Sequence, residues 1–359
     1  MKTKYLSLAL LLCSLLMLCG CGKVTETEEA IAAIGDVTMD SIDRIEAAEA
    51  LYNSLSDGQQ DRVDNYHVLS TARKEITRME DLIQEANAAI HAIGDVTLDS
   101  LPDIQAAWDA YEALKPDDLT IYAKASTIAE AEAQWLQLHY DLGSQLLADQ
   151  DYEAARSTFA VILSYDPECT LAEAAKAGTT EALLALAGKQ FQARDYEGTY
   201  YSLKEIRENY TYPEEAQALG DKLTRQLSYQ YPQNGKVFSN TLGWGQGEFT
   251  VKAGNRDACV KLENVDDPSK FALFYVHANQ QAKINVKDGS YVAKYATGEQ
   301  WFDRDIYFGR GTTYTLAEDT MVFTTTREGG YIYYQTYTIT LYTVVGGDLE
   351  TSEIDPSAF

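Results

Sequence analysis

Cysteine is scarce in this chain. Five occur in 359 residues, and three of them, Cys13, Cys19 and Cys21, fall at the N-terminus. Only Cys169 and Cys259 follow, with no CxxC pair, so a disulfide framework is excluded. Histidine is equally sparse. His67, His91, His139 and His277 lie far apart, outside any HExxH or Cys/His metal spacing. There is no GxSxG elbow, no Walker loop and no GxGxxG. Positive charge is also short: 29 Lys and Arg face 55 Asp and Glu, a net of −26. That balance excludes nucleic-acid binding through phosphate attraction. After Cys21 no apolar run approaches the roughly 20 residues of a bilayer span.

What is present begins with the first residues. Lys2 and Lys4 precede an apolar stretch, Leu6 to Leu18, that ends in Leu18-Cys19-Gly20-Cys21. A short positive segment before a short apolar one has the form of an export signal. Its end resembles the lipobox of bacterial lipoproteins, with Cys19 where a small residue is usual. The resemblance implies a signal peptide of residues 1–20 and a diacylglycerol and acyl chain on Cys21. It implies no other cofactor, and it places the chain on the extracellular face of the cell membrane. Two lipid chains suffice for a stable anchor.

Next come two copies of one unit, offset by 59 residues. Ile31-Ala-Ala-Ile-Gly-Asp-Val-Thr-Met-Asp-Ser matches Ile90-His-Ala-Ile-Gly-Asp-Val-Thr-Leu-Asp-Ser, and Tyr52 and Leu55 match Tyr111 and Leu114. Gly35 and Gly94 suit a left-handed helix stop. Asp40-Ser41 and Asp99-Ser100 offer oxygens to cap the next helix. Leu69, Ala72, Ile76, Met79, Ile83, Ala86, Ile90 and Ile93 recur three and four apart, which predicts one long helix joining the copies. Such units resemble helical spacer repeats of Gram-positive surface proteins. They are assigned to residues 21–133, as about 30–88 and 89–133.

Residues 134–230 keep helical periodicity with a different pattern. Leu142, Gly143, Ala155, Phe159 and Pro167 carry the spacing of a tetratricopeptide repeat. Asp195-Tyr196-Glu197 restarts Asp151-Tyr152-Glu153 after 44 residues. The ten residues beyond a standard repeat predict a short helix near Leu171 to Ala177, and Glu214 to Gln230 a capping helix. The resemblance implies a protein-binding solenoid, with Tyr152 and Arg156 on its groove. A rigid connector is the alternative.

Tyr231-Pro-Gln-Asn-Gly235 reads as a linker, after which alternation replaces helical periodicity. Strands are predicted at Glu248–Ala253, Ala258–Glu263, Phe271–His277, Ala282–Val286, Tyr291–Ala296, Thr320–Thr325 and Tyr331–Val345. Residues 236–350 therefore predict an antiparallel β-sandwich, with jelly-roll order an option, and 351–359 a tail. Gly247-x-Phe-x-Val, Ala258-Cys-Val-Lys-Leu262, Asp288-Gly-Ser-Tyr291, Gly298-Glu-Gln-Trp301 and Gly346-Gly-Asp-Leu-Glu-Thr-Ser resemble a C-terminal module of bacterial surface lipoproteins. That resemblance implies architecture and no activity.

The charge is uneven. Residues 22–235 hold 16 Lys and Arg against 39 Asp and Glu, while residues 236–359 hold 11 against 16. Glu299, Asp303 and Asp305 raise a paired-carboxylate or calcium reading, against the plainer one of an acidic surface loop. Trp244, Trp301, Tyr331 and Tyr333 raise a glycan platform, against aromatic core packing, with one face of the 331–337 strand expected in the core. The whole reads as a multidomain chain: an all-α rod and tetratricopeptide-like solenoid, then an all-β sandwich. It is expected to be a non-enzymatic envelope protein that binds or scaffolds a protein partner. Glycan binding is the alternative, and an envelope hydrolase a distant third.

Overall fold

The computed structural model describes residues 22–341 and 350–359. Cys21, the signal segment and the start of the Gly346 motif lie outside the described residues. A helical N-terminal region is followed by a C-terminal β-sheet region that is antiparallel apart from one strand pair. Contacts divide the chain into two compact units. One runs to Ala148 and takes in Ser157–Ala175, and the other holds Asp149–Arg156 and Lys176–Phe359.

In the first unit, α1 (22–32), α2 (Ile42–Asn53) and a single turn, α3 (Asp57–Gln60), precede α4 (Tyr66–Ala92). The equivalents in the second copy are the end of α4, α5 (Leu101–Glu112) and α6 (Ala125–Ala148). The expected long helix is α4, and corresponding positions of the two stretches are buried. Ile34, Ile45, Ala48 and Leu55 are buried, and so are Ile93, Ile104, Ala107 and Leu114. Gly35 and Gly94 both take positive φ, 66° and 56°, the conformation that costs glycine least.

Two expectations change here. Ser41 and Ser100 do not cap the following helix. Their hydroxyls turn back and accept from the Thr38 and Thr97 amides at 3.1 and 2.9 Å, which satisfies two buried groups locally. The boundary at 133 also falls inside α6. The 59-residue offset continues there, since Leu69, Ala72 and Ile76 correspond to buried Ile128, Ala131 and Trp135. One helix thus closes the second copy and opens the next region.

That region comprises α7 (Tyr152–Tyr165), α8 (Ala172–Gln192), α9 (Tyr196–Asn209) and α10 (Glu214–Ser228). Gly143 lies against Phe159, and a Cβ there would stand 2.7 Å from the ring. The 44-residue offset reappears in the backbone. Gln150 and Arg194 both adopt positive φ, 62° and 63°. Asp195 then accepts from the Gly198 amide at 2.8 Å, as Asp151 does from Ala154 at 3.3 Å. The expected short helix at Leu171 to Ala177 is not separate. Those residues extend α8, whose Ala172 and Ala175 are buried.

The strands are β1 (Val237–Asn240), β2 (Gly247–Lys252), β3 (Asp257–Asn264), β4 (Phe271–Val276), β5 (Gln281–Val286), β6 (Gly289–Gly298), β7 (Thr313–Phe323), β8 (Thr325–Glu328), β9 (Tyr331–Tyr334), β10 (Thr336–Thr340) and β11 (Thr351–Glu353). Six form one sheet in the order β1-β4-β3-β6-β7-β11, three another in the order β10-β2-β5, and β8 and β9 a separate ribbon. The 6-plus-3 division departs from jelly-roll order. Both larger sheets face one core. Phe249, Val251, Ile284 and Ile339 meet Val260, Leu262, Phe274 and Phe323 there.

The six-stranded sheet is covered on its other face too. Cys259, Leu273, Tyr275 and Ala296 pack with Trp301 and Phe308 from the 299–311 loop. Burial on both faces is why β4 reads as a continuous apolar run.

Candidate functional site

The residues singled out in sequence separate into three places. The first is the helical pair Tyr152 and Arg156. Arg156 sits on α7, where both prongs of its guanidinium meet Glu205 on α9 at 2.9 Å. Glu153 adds a third oxygen at 3.5 Å. The Lys189 ammonium stands 5.9 Å over the Tyr152 ring. Both side chains therefore have partners within the helices.

The second place is the end of the β-region carrying Trp244 and the β8–β9 ribbon. The Gly329-Gly330 turn has positive φ at both positions, 58° and 86°, as a tight hairpin turn requires. Asp288 pins the base of the ribbon, accepting from the Thr325 amide and hydroxyl at 2.9 and 2.7 Å. Gln335 accepts from Thr324 at 2.7 Å on the other side. Trp244 lies by the turn between β5 and β6, since Gly243 and Gly245 on either side of it approach Lys287.

Every residue of β9 is exposed: Tyr331 by 70%, Tyr333 by 56%, and Ile332 and Tyr334 as well. Trp244 is 66% exposed. Of the expected 331–345 strand, residues 342–345 lie outside the described residues; the rest is broken at Gln335, and neither face of β9 enters the core. A two-stranded ribbon has no second layer to bury against, whereas Tyr337 on β10 does pack on the core. Tyr331 and Tyr333 point to one side of the ribbon, Ile332 and Tyr334 to the other.

The third place is Trp301. It is 2% exposed and stacks flat on Phe238, with ring centroids 5.6 Å apart. It is a core residue and not part of a platform with Trp244. Its neighbours form a cleft of about 530 Å³ lined by Tyr231, Lys236, Phe238, Asp303 and Arg304. No sequence motif marked this cleft, because its residues come from two segments about 65 positions apart.

The 231–235 segment, expected as a linker, is instead bound to the β-region along its length. Tyr231 donates to Asp257 at 2.6 Å, His277 meets the Pro232 carbonyl at 2.7 Å, and the Gly235 amide reaches the Tyr275 carbonyl at 2.8 Å. Asp257 also accepts from the Tyr275 hydroxyl at 2.8 Å and the Ala278 amide at 2.7 Å. Burial, and then the Asp257 carboxylate, push the Tyr231 phenol up to about 12.

The 299–311 loop ties the β-region to the helices of its own unit. Phe302 enters a cluster with Leu203, Ile206 and Leu223. Glu197 accepts from the Arg310 amide at 2.6 Å. Lys204 holds Glu299 at 2.7 Å. That hydrogen bond keeps the Glu299 carboxyl below the usual range, opposite to what a general acid needs. Asp303 accepts from the Asp305 and Ile306 amides at 2.8 and 2.9 Å, a turn-forming role. Among the described residues no His, Cys, Asp or Glu cluster is arranged to hold a metal ion, and no helix is long and apolar enough to cross a membrane. Cys169 and Cys259 are both free.

Comparison with known proteins gives no match: no family model, no curated protein and no solved structure resembles this chain.

Proposed function

We propose that this chain is a non-enzymatic lipoprotein, held on the outer face of the cell membrane through Cys21. Its role is to bind or scaffold a protein partner at the cell envelope. The 22–133 repeats act as its spacer. Residues 134–230 act as a tetratricopeptide-like solenoid that carries the β-region, an antiparallel sandwich. The matched turns at Gln150 and Arg194, and the single core shared by the two larger sheets, support those fold assignments.

One observation carries the reading: the four β9 residues are exposed together on one ribbon, whose base is pinned by Asp288, next to the Lys287 against which the Trp244 loop lies. Tyr and Trp are enriched at protein interfaces, and contiguous exposed apolar surface marks an interaction site. The proposed binding surface therefore moves from Tyr152 and Arg156, which Lys189 and Glu205 engage, to the β-region. Glycan binding stands as a second reading because Tyr331 and Tyr333 lie two residues apart on one side of the ribbon and are both exposed, as sugar stacking needs. A photo-crosslinking side chain in place of Tyr331, in living cells, tests the choice. A discrete protein adduct, absent when the probe replaces Arg156, is the expected outcome. Adducts only from Arg156 would return the site to the helices. No protein adduct at Tyr331, with retention of the chain on wall glycan, would favour the second reading.

A further inference from the structure

The cleft beside Trp301 shares no residue with the aromatic ribbon and has a chemistry of its own. Its apolar lining is Phe238, the edge of Trp301, Pro232 and half-exposed Tyr231. Its polar lining is Gln230, Gln233, Lys236, Asp303 and Arg304. A volume of about 530 Å³ lies inside the range of small-ligand sites, about 300–1,000 Å³.

Charge gives this place its character. The chain carries a net −26, and several of its cations are spent on carboxylates: Arg73 on Glu49, Arg156 on Glu205, Lys204 on Glu299, Lys294 on Glu263. Among the described residues neither Lys236 nor Arg304 has an acidic partner. Arg304 instead lies over the Phe238 ring, its guanidinium carbon 5.4 Å from the centroid. That position leaves its N–H edges for a ligand. Asp303 is held by its own turn through one carboxylate oxygen, Oδ1. Two cations and one anion leave the lining with a single positive charge.

We propose that this cleft binds a monoanionic, carboxylated saccharide, a hexuronate or a short oligomer ending in one. Its ring would lie against the aromatic lining, with hydroxyls toward Gln230, Gln233 and Asp303. Its carboxylate would take the Arg304 fork and the Lys236 ammonium. The charge balance decides between acids. One carboxylate matches the local excess of one cation, whereas a phosphate dianion or a long polyanion would meet Asp303 and the negative field of the whole chain. The lining also has no helix N-terminus, the usual seat of a phosphate.

Titration of the detergent-solubilised full chain with a galacturonate trisaccharide, followed by tryptophan fluorescence and calorimetry, tests the assignment. Its neutral galactose counterpart and heparin serve as controls. Saturable binding of the uronate is expected. It should persist in Trp244→Phe and in Tyr331→Ser/Tyr333→Ser, and weaken at least tenfold in Arg304→Gln. The galactose trisaccharide should bind at least tenfold more weakly. No saturable uronate binding to the folded wild type would overturn the proposal. So would equal affinity for the neutral sugar, or binding that Arg304→Gln leaves unchanged. Heparin binding as tight as the uronate, and abolished by moderate salt, would reduce the site to unspecific ion exchange and also overturn it.

Discussion

Replacing Trp301 by Ala removes an indole that Phe238, Tyr275 and Phe308 surround. The expected loss is about 3–5 kcal/mol of stability. Trp244→Ala, in a loop open to solvent, is expected to change stability by no more than about 0.5 kcal/mol. Urea unfolding of the two variants checks the contrast, and similar losses would remove the distinction between core and surface tryptophan. Gly143→Ala is a second test at this scale. Its new methyl would meet the Phe159 ring at 2.7 Å, so overpacking should cost about 1–3 kcal/mol despite the better helix propensity of Ala. Sequence spacing had singled out Gly143, Ala155 and Phe159 together, and Gly143 and Phe159 are in contact. It could not separate the two tryptophans, because both sit beside turn residues and only the three-dimensional cover over Trp301 differs.

Elements differ in how much of them the chain announces. The α4 stripe and the paired glycines are local signals, so the long helix and the start of the second copy were legible, whereas α6, which crosses the boundary set at 133, was not. Five of the seven expected strands fall within two residues of observed ones for the same reason, their alternation and flanking turns. β1 and β11 were missed. They are four and three residues long, too short to show a period, and pairing with β4 and β7 supplies their strand geometry. The reverse error occurred at 331–345. Tyr, Thr and Ile all favour strands, so nothing local signals the break at Gln335. Gln335 makes that break by accepting from Thr324 with its side chain. The ribbon it sets off should be dispensable for folding. Excising Arg327–Ile332 and closing with Asn-Gly between Thr326 and Tyr333 is expected to leave the melting temperature within a few degrees and the core intact. Global unfolding on excision would mean that the ribbon is structural.

At the scale of the whole molecule, ionisation bounds the stable range on both sides. Glu263 is buried, which alone would raise its pKa, but Lys261 at 2.8 Å and Lys294 at 2.9 Å outweigh that and leave it lowered. A carboxyl depressed in the folded state contributes stability that is present above the unfolded value of about 4.3 and lost as pH falls through the folded value. Tyr231 has the opposite sign. Its phenol is raised to about 12 from an ordinary value near 10, so its contribution is complete below about pH 10 and disappears as pH rises through about 12. Denaturant midpoints measured from pH 3 to 12 should therefore fall at both ends. Glu263→Gln should flatten the acid limb and Tyr231→Phe the alkaline one. A profile unchanged in both variants would contradict these assignments. Cellular placement belongs to the same scale, and Cys21→Ser is expected to move the chain from the membrane fraction to the soluble one.

The most direct test compares capture of one envelope partner by three lipidated full-length forms: wild type, Trp244→Ser/Tyr331→Ser/Tyr333→Ser, and Arg156→Ala. The partner is first identified by the Tyr331 crosslink, and its affinity is then measured against each form. A loss of at least tenfold in the triple variant, with Arg156→Ala close to wild type, is the outcome expected if the aromatic end is the binding surface. Unchanged affinity in the triple variant and loss in Arg156→Ala would contradict it and place recognition on the helices.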